Sequence, residues 1–259
     1  MLSSGITLTC ISKKRPFCVP EMEKLCPGVL WLVSSKEDKK AYELEGAKRV
    51  QVVRGGLVAA RNEALHIALE TETLNLSVDD NTQGFYRCFG RTWNDVLEVP
   101  LEDIAQEMLG VMLSSGLYLV GTLPAHNPFY ARPRIHTWAH CSASLIMIDP
   151  CQEIWWQKGT DWKDDWVMTA RHLQAYGAIA RLDYVYSKRT LGGSGGLRDD
   201  RTHAIEIREA KKVLARFPDI IRKDVKGLAA RPGKLFLKHN IRNCPSERAK
   251  ELYKELNHA

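Results

Sequence analysis

Leu74-Asn75-Leu76-Ser77-Val78-Asp79-Asp80-Asn81 joins a short apolar run to two adjacent carboxylates. The run is long enough for a buried strand, and the carboxylates stand at the carboxyl end of that strand. Ligands bind at this end in open α/β sheets, where a cation would relieve the repulsion between two carboxylates. A helix N-cap or an Asx turn is the alternative interpretation of the same pair. The stretch therefore predicts a core strand that ends at either a ligand site or a turn.

The chain upstream of this stretch alternates between strands and helices. Apolar, β-branched segments at 6–12, 29–33 and 50–53 predict strands, and the segments at 36–45 and 57–69 predict helices. Repeated strand–helix alternation with short links is typical of a mostly parallel sheet with helices on both faces. The fold class predicted from the sequence is therefore α/β.

Composition indicates a folded, soluble protein. The chain has 259 residues, of which 44% are hydrophobic and 26% charged, and it contains seven Trp, which together argue against disorder. Its seven cysteines include no Cys-x-x-Cys pair, so we expect free thiols in a reducing cytoplasm, with structural zinc as the alternative. Lys13-Lys14-Arg15-Pro16 interrupts any signal-peptide pattern, and no apolar run is long enough to span a bilayer. We expect a cytoplasmic location.

A second acidic pair, Asp164-Asp165, follows a cluster of tryptophans and precedes a predicted helix over 166–176. Carboxylates at a helix N-terminus are favoured by the helix dipole, which would explain the pair without any catalytic role. The alternative is catalysis, because an acid beside a tryptophan-lined surface suits a base that faces a planar or sugar substrate. The sequence leaves both interpretations open.

Two further segments bear on function. The stretch 191–197 has four glycines in five residues but lacks the ending of a phosphate-binding loop, so we expect a lid with His203 just beyond it. A basic run then carries seven cations against one acid, although the whole chain has a net charge of only +6. A solvated surface is the default interpretation, and a polyanion partner is the alternative. The seven basic residues are Arg222, Lys223, Lys226, Arg231, Lys234, Lys238 and Arg242.

The order of these motifs resembles that of GT-A nucleotide-sugar glycosyltransferases. The stretch 52–65, with Gly55-Gly56 and Arg61-Asn62, followed by Asp79-Asp80, is similar more narrowly to the TET-associated glycosyltransferases. These relatives of base J glucosyltransferase are common in phages and glycosylate hydroxymethylated pyrimidines in DNA. Asp164-Asp165 also looks like the acidic segment that this family has near its acceptor. The resemblance covers residues 5 to 205.

The resemblance implies a GT-A, Rossmann-like domain over 1–205 and a basic helical extension over 206–259. The nucleotide-sugar half would occupy about 1–82 and the acceptor half about 83–205. Two positions depart from the family pattern. Val78 stands where the Asp-x-Asp motif would have its first carboxylate, and Asp164 stands where the family often has glutamate. The first departure affects the set of metal ligands. The second shortens the side chain of the first acid in the pair.

The resemblance also implies site residues. Asp80 would bind Mn²⁺ or Mg²⁺, with His203 as a closing ligand, and Asp165 would be the general base, with Asp164 as the second choice. The donor, most simply UDP-glucose, would contact Lys13, Arg15, Arg54, Arg61, Asn62 and Asp79. The base-stacking candidates are Trp155, Trp156 and Trp162.

The expected activity is transfer of a sugar, with inversion, to a 5-hydroxymethyl pyrimidine such as 5-hydroxymethylcytosine. The partner would be double-stranded DNA carrying such modified pyrimidines, in the host-cell cytoplasm if the gene is a phage gene. The basic run would hold the DNA backbone. Two alternatives stay open. One is a GT-A transferase that acts on a polysaccharide, lipid or protein acceptor, and the other is a non-enzymatic basic nucleic-acid-binding protein.

Overall fold

The computed structural model describes residues 5–159, 161–190, 202–223 and 233–258. The strands are β1 (Ile6–Ser12), β2 (Leu30–Val33), β3 (Arg49–Val52), β4 (Leu74–Asp79), β5 (Thr82–Cys88), β6 (Val96–Glu98), β7 (Leu119–Thr122), β8 (Ile135–His136), β9 (Leu145–Ile148), β10 (Ala180–Leu182), β11 (Val185–Arg189), β12 (Ile221–Lys223) and β13 (Leu235–Leu237). The helices are α1 (Val19–Leu25), α2 (Lys36–Leu44), α3 (Leu57–Glu70), α4 (Leu101–Ser115), α5 (Asp164–Tyr176), α6 (His203–Arg216) and α7 (Glu247–His258).

The central sheet has the strand order β3-β2-β1-β4-β9-β7-β10-β8 within these ranges. The first four strands are parallel to one another, and β7 is parallel to β10. Strand β9 is antiparallel to both β4 and β7, and β8 is antiparallel to β10. Six of the eight strands therefore run in one direction, and the predicted mostly parallel, Rossmann-like α/β sheet is confirmed.

Helices cover both faces of the sheet, as β2 shows. Alternate residues of a strand point to opposite faces. Leu30 and Leu32 pack in one cluster with Ala60 of α3. Trp31, between them, makes an edge-on contact with Tyr42 of α2, with ring centroids 5.3 Å apart. α2 and α3 therefore lie on opposite faces, in agreement with the predicted three-layer arrangement.

A second, three-stranded sheet of order β11-β5-β6 extends away from the carboxyl end of β4. Strand β5 begins at Thr82, two residues after Asp80, and pairs antiparallel with β11. The register between these strands shifts at Lys188/Arg189, and the chain at Thr190 bonds to Asn81. This extension brings the end of β11 to the end of β4.

The C-terminal part was predicted to be a helical extension, and the structure differs in one respect. Between α6 and α7 lies a two-stranded antiparallel sheet, β12-β13. Ile221 and Leu235, one from each strand, are buried in the same apolar cluster as the central sheet. The physical reason for strands here is that these apolar residues face the main core while Arg222 and Lys223 stay exposed.

Helix α7 covers the outer edge of the sheet at β8. The backbone N–H of Ile135 donates to Asn257 Oδ1 at 2.8 Å, and Asn257 Nδ2 donates to the Ile135 carbonyl at 2.9 Å. One side-chain amide thus takes both hydrogen bonds that a further strand would have made at this residue.

All seven cysteines are free thiols, as predicted. In the described ranges, no helix combines the length and the apolar character that crossing a bilayer requires.

Candidate active site

A cavity of about 790 Å³ lies where β1 and β4 end, facing the N-terminus of α5. Both acidic pairs line it, together with a group of cationic side chains. Its charged and aromatic lining residues include Lys13, Arg15, Arg61, Asp79, Asp80, Asp161, Trp162, Asp164, Asp165, Arg189 and Glu206. This is the end of the sheet at which open α/β folds bind their ligands.

Asp80 is buried at the floor of the cavity and is held by residues from the end of β1. Ser12 Oγ donates to Asp80 Oδ2, and Arg15 Nη1 lies 2.9 Å from Asp80 Oδ1. Tyr42 supports both partners, because its hydroxyl bonds to Ser12 Oγ and accepts from the Arg15 backbone N–H at 3.0 Å. Burial raises the pKa of Asp80, while the bonds from Ser12 and Arg15 oppose that rise and adjacent Asp79 adds to it.

Asp79 is more open than its neighbour, with a side chain that is 33% exposed. Its Oδ2 lies 3.0 Å from Arg189 Nη1 at the end of β11. The register between β11 and β5 shifts at Lys188/Arg189, so Arg189 makes this contact from an irregular position of the strand. Adjacent carboxylates on β4 are therefore neutralised by arginines from two distant parts of the chain.

Asp164 is buried, and its partner is Arg61 of α3. Arg61 Nε lies 2.5 Å from Asp164 Oδ2, and the guanidinium stands over the Trp156 ring with its carbon 4.5 Å from the ring centroid. Asn62 fixes Trp156 in turn, since its amide bonds to both the N–H and the carbonyl of that residue at 2.9 and 3.1 Å. The resulting arrangement links α3 to α5 through one ion pair and to Trp156, which precedes α5, through one stacked cation.

Asp165 faces the same cavity from the first turn of α5. Its Oδ2 lies 3.2 Å from His140 Nε2, and the His140 ring stacks on Trp166 with 4.0 Å between centroids and 9° between planes. Its Oδ1 accepts from the Trp166 N–H at 2.8 Å, so the helix N-terminus also stabilises the carboxylate. These contacts fix the carboxylate while it remains at the cavity wall.

The two carboxyls of this pair have pKa values shifted in opposite directions. Burial raises the pKa of Asp164, with Arg61 opposing the rise and Asp165 adding to it. Burial acts in the same sense on Asp165, but His140, Arg61 and the Trp166 N–H outweigh it and lower the pKa of that carboxyl. Asp165 therefore keeps its negative charge to lower pH than Asp164, whose pKa is raised to about 6.

The chemistry of the Asp79-Asp80 pair fits a divalent cation that shares its ligands with a substrate. Mg²⁺ is commonly bound by one or two carboxylates together with substrate phosphate oxygens. Within the described ranges, no group of three or more His, Cys, Asp or Glu side chains is arranged to hold a metal by itself. A cation here would therefore take its remaining ligands from a bound diphosphate and water, and Arg15 and Arg189 would share the carboxylates with it.

The predicted donor residues fall into two groups. Lys13, Arg15, Arg61 and Asp79 line the cavity. Arg54 and Asn62 do not appear in its lining; Arg54 is exposed beyond β3, and the Asn62 amide is engaged with the Trp156 backbone.

His203, the predicted closing ligand of the metal, is not brought to the Asp79-Asp80 pair. It is the exposed first residue of α6 and does not line the cavity, whereas Glu206, one turn further along, does. The sequence placed a histidine near the site in chain order but carried no information on which side of the helix faces the cavity. The glycine-rich stretch 191–197 lies outside the described residues.

The three tryptophans proposed to stack on a base differ in access. Trp156 is buried under Arg61, and Trp155 is half-buried against His66, with 4.4 Å between ring centroids. Trp162 alone among these three lines the cavity. A planar group that enters the cavity would therefore meet Trp162.

The basic run is partly described. Arg222 and Lys234 stand near the Phe236 ring, and Lys238 lies 3.8 Å from Asp219. Arg242 and Lys223 are exposed to solvent. Lys226 and Arg231 lie outside the described residues.

Five residues of the site were not predicted from the sequence: Ser12, Tyr42, His140, Arg189 and Glu206. Ser12 carried a usable signal, because it ends β1 immediately before the basic turn that starts at Lys13. The others lie far along the chain from the parts of the site that they contact or line, and only the folded structure shows their proximity.

No protein-family model matches this chain, and no curated protein does. Among solved structures, it is similar to S. aureus TarS 1-349, with 11% identity and a TM-score of 0.44 over 81% of this chain and 65% of that one. It is also similar to a CMP:2-keto-3-deoxy-manno-octonic acid synthetase complexed with CTP, with 9% identity and a TM-score of 0.43 over 82% and 99% of the two chains. A cytidylyltransferase from Leptospira borgpetersenii gives 9% identity and a TM-score of 0.35 over 67% and 73%.

This chain therefore spans slightly less than two thirds of the TarS chain. At these identities and TM-scores the similarities identify no substrate, and the function has to be argued from the cavity.

Proposed function

We propose that this protein is a nucleotide-sugar-dependent glycosyltransferase of GT-A type that modifies 5-hydroxymethyl pyrimidines in DNA. The observation that carries the proposal is the meeting of two acidic pairs and four cations in one cavity at the carboxyl ends of β1 and β4. One pair is suited to the charged donor and the other to the acceptor hydroxyl. In this proposal the donor half is about 1–82, the acceptor half about 83–205, and 206–259 contacts DNA.

On the donor side, Lys13, Arg15 and Arg189 supply positive charge for the two phosphates of a nucleotide sugar. The bound Mn²⁺ or Mg²⁺ would lie with Asp79 and Asp80 and would stabilise charge on the leaving diphosphate. Ser12 and Tyr42 orient Asp80 and the Arg15 backbone, so the donor side is fixed before the substrate arrives.

On the acceptor side, Asp165 accepts the proton of the attacking hydroxyl. The acceptor oxygen forms a bond to the anomeric carbon while the bond from that carbon to the diphosphate breaks, and the nucleoside diphosphate leaves. A single displacement inverts the configuration, so an α-linked donor such as UDP-glucose gives a β-linked product. The position of Asp165 at the cavity wall, with His140 Nε2 3.2 Å from its Oδ2, supports this role, with Asp164 as the second choice.

The acceptor assignment rests on the family resemblance and on charge. A base within a duplex has to leave the stack to reach a cavity of this kind, and Trp162 is the aromatic side chain that would stack on it. Arg222, Lys223, Lys226, Arg231, Lys234, Lys238 and Arg242 would contact phosphates, which gives affinity with little sequence reading.

Mass analysis of nucleosides tests this proposal. DNA containing 5-hydroxymethylcytosine is incubated with the protein, Mn²⁺ or Mg²⁺ and a panel of nucleotide sugars, and is then digested to nucleosides. We expect a hexose-sized mass gain with UDP-glucose that is absent for Asp80→Ala. Asp161→Ala is the matched control, because Asp161 is an exposed carboxylate of the same cavity and is not an ion-pair partner of Arg15 or Arg189 in the described structure.

Two outcomes would contradict the proposal at different levels. Sugar transfer to a polysaccharide, lipid or protein acceptor, with none to DNA, would retain the transferase and remove the DNA acceptor. Salt-sensitive DNA binding, without any effect of nucleotide sugars on thermal stability, would indicate the non-enzymatic alternative.

A further inference from the structure

Four large aromatic side chains are exposed at the far end of the second sheet. Phe89 and Trp93 are 67% and 66% exposed, and Phe129 and Tyr130 are 54% and 57% exposed. Arg91 joins the two loops that carry them, because its guanidinium carbon lies 4.6 Å from the centroid of the Phe129 ring. We call these four residues together with Arg91 the aromatic patch. Clusters of exposed large apolar side chains are a common mark of interaction sites on soluble proteins.

The loop that carries Trp93 is a defined structure. Asp95 accepts from both the N–H and the hydroxyl of Thr92, at 3.0 and 2.7 Å, and its carbonyl accepts from the Phe89 N–H at 2.9 Å. A Cβ at Gly90 would lie 2.3 Å from the Asp95 carboxylate, so a side chain there would displace the Asp95 cap. Trp93 is therefore presented on a short, capped turn.

The charge around the patch favours a polyanion. Residues 89–94 and 126–134 contain three arginines and no Asp or Glu. Arg134 is paired with Asp183 at 2.8 Å, so Arg91 and Arg132 are the cations that the patch presents. The nearest acid along the chain, Asp95, bonds to Thr92 and keeps its negative charge, so the two loops retain a small excess of positive charge from Arg91 and Arg132. Arg132 closes its own loop by donating to the Phe129 carbonyl at 2.9 Å. Aromatic faces interleaved with guanidinium groups are the surface that binds unpaired nucleotides, by stacking and cation–π contacts.

Strand β5 sets the distance between the patch and the active site. It begins two residues after Asp80 and ends at Cys88, immediately before Phe89. Six steps along a strand span about 20 Å. At the stacked spacing of about 3.4 Å, six nucleotides of one DNA strand cover the same distance, and an extended strand needs fewer.

From these observations we infer that the aromatic patch binds nucleotides of the acceptor strand that are unpaired when the DNA is bound, within about six positions of the base that enters the cavity. The inference rests on the proposed function, since it takes DNA as the acceptor. It adds a binding surface distinct from the basic C-terminal run. That run contacts phosphates, whereas the patch contacts the faces of bases.

Fluorescence anisotropy with a labelled 20-nucleotide single strand tests the inference. We expect Trp93→Ala to weaken binding about tenfold, which is the effect of removing one base–aromatic stack. Trp93→Phe should restore most of the affinity because it keeps an aromatic face. Leu44→Ala is the matched control, because Leu44 is an exposed apolar side chain on α2.

A strand of the same length with abasic positions separates stacking from charge. The difference between wild type and Trp93→Ala should disappear on the abasic strand, since that strand keeps its phosphates and lacks base faces. Equal losses on the abasic strand or on dextran sulfate would overturn the inference and indicate a general polyanion or polysaccharide surface. Unchanged binding of the 20-mer by Trp93→Ala would also overturn it.

Acceptor length keeps this test apart from the test of function. With a four-nucleotide acceptor, Trp93→Ala should transfer sugar as well as wild type, while with a 20-nucleotide acceptor its KM should rise about tenfold. If Trp93→Ala and wild type have equal KM values with the 20-nucleotide acceptor as well as with the short one, the inference about the patch is wrong and the proposed transferase activity still stands. Failure of all DNA transfer, with Trp93-dependent binding retained, would overturn the acceptor assignment alone. A wild-type dimer that Trp93→Ala dissociates in sedimentation velocity would assign the patch to self-association instead.

Discussion

The two acidic pairs of the cavity have the same sequence, Asp-Asp, and different surroundings. Asp79-Asp80 ends a strand, and among the described residues its charges are met by side chains from β1, β11 and the turn after β1. Asp164-Asp165 begins a helix, and backbone N–H groups of α5 meet part of its charge. In each pair one member is buried and the other is more open.

This comparison teaches that the surroundings of each carboxylate, its burial together with its bonding partners, divide the roles, since the residue type is the same. The buried members, Asp80 and Asp164, have raised pKa values and are tied to Arg15 and Arg61. The open member of the helix pair, Asp165, has a lowered pKa and faces the cavity. The buried residue organises each pair, and the open residue is left for substrate.

The largest effect should come from removing the open acid of the helix pair. Asp165→Asn should lower kcat by about 10²- to 10⁴-fold, because an amide cannot accept the acceptor's proton. Steady-state kinetics of sugar transfer would measure the loss. Asp161→Asn makes the same chemical change on an exposed acid of the same cavity and should leave kcat within about twofold. Equal activity of Asp165→Asn and wild type would remove Asp165 from the mechanism.

The next effect concerns folding and contrasts the two arginine partners. Arg61→Met should lower the free energy of unfolding by about 3–5 kcal/mol, because it leaves Asp164 buried and unpaired. Arg189→Met, whose partner Asp79 is 33% exposed, should lower it by less than about 1 kcal/mol. Urea denaturation at pH 7.5 would compare the two.

A double variant isolates the cause. Asp164→Asn in the Arg61→Met background removes the unpaired charge and should recover about half of the lost stability. If the double variant is as unstable as the single one, the loss comes from packing of Arg61 on Trp156 and not from the buried carboxylate.

A smaller effect is expected at the tyrosine that supports the strand pair. Tyr42→Phe removes one hydroxyl that bonds to Ser12 and to the Arg15 N–H, so stability should fall by about 1 kcal/mol. The KM for the nucleotide sugar should rise as well, because Ser12 and Arg15 both position Asp80. A loss of stability without any change in KM would mean that the donor side does not depend on this support.

The smallest effect is a dependence of stability on pH. The pKa of Asp80 is raised in the folded state, so the native protein binds more protons than the unfolded chain just above the ordinary pKa of aspartate. Stability from this group is complete below the unfolded pKa and is lost as pH rises through the folded pKa. Asp80→Asn has no such group, so wild type should lose stability relative to it as the pH rises from about 4 to 7. Denaturant titrations at several pH values would show whether the two curves diverge in this direction.

The order of strands and helices up to Asp80 could be predicted from the sequence. In this part neighbours in the chain are also neighbours in space, so local apolar patterns and turn residues carry the information. The same holds for the floor of the cavity, because a strand that ends in Asp79-Asp80 places these residues where the parallel strands have their carboxyl ends. The antiparallel strands β8 and β9 had no such signal, since strand direction is not written in a local pattern.

The partners of the four carboxylates could not be predicted in the same way. Arg189 and His140 are 110 and 25 positions from Asp79 and Asp165 in the sequence, and nothing in their neighbourhoods marks them as ion-pair partners. The placing of His203 failed for a related reason, because its position after a glycine-rich stretch did not determine which side chains of α6 reach the cavity. Contacts between distant segments depend on the order in which the strands assemble into the sheet, which is a property of the whole fold.

The amide of Asn257 has a consequence for solubility. A sheet edge with free N–H and C=O groups is a template on which other chains add strands, and natural proteins block such edges. Asn257 engages both backbone groups of Ile135, and the rest of α7 covers the approach to β8. Helix α7 therefore protects the protein from edge-to-edge aggregation, a contribution separate from the apolar area that the helix buries.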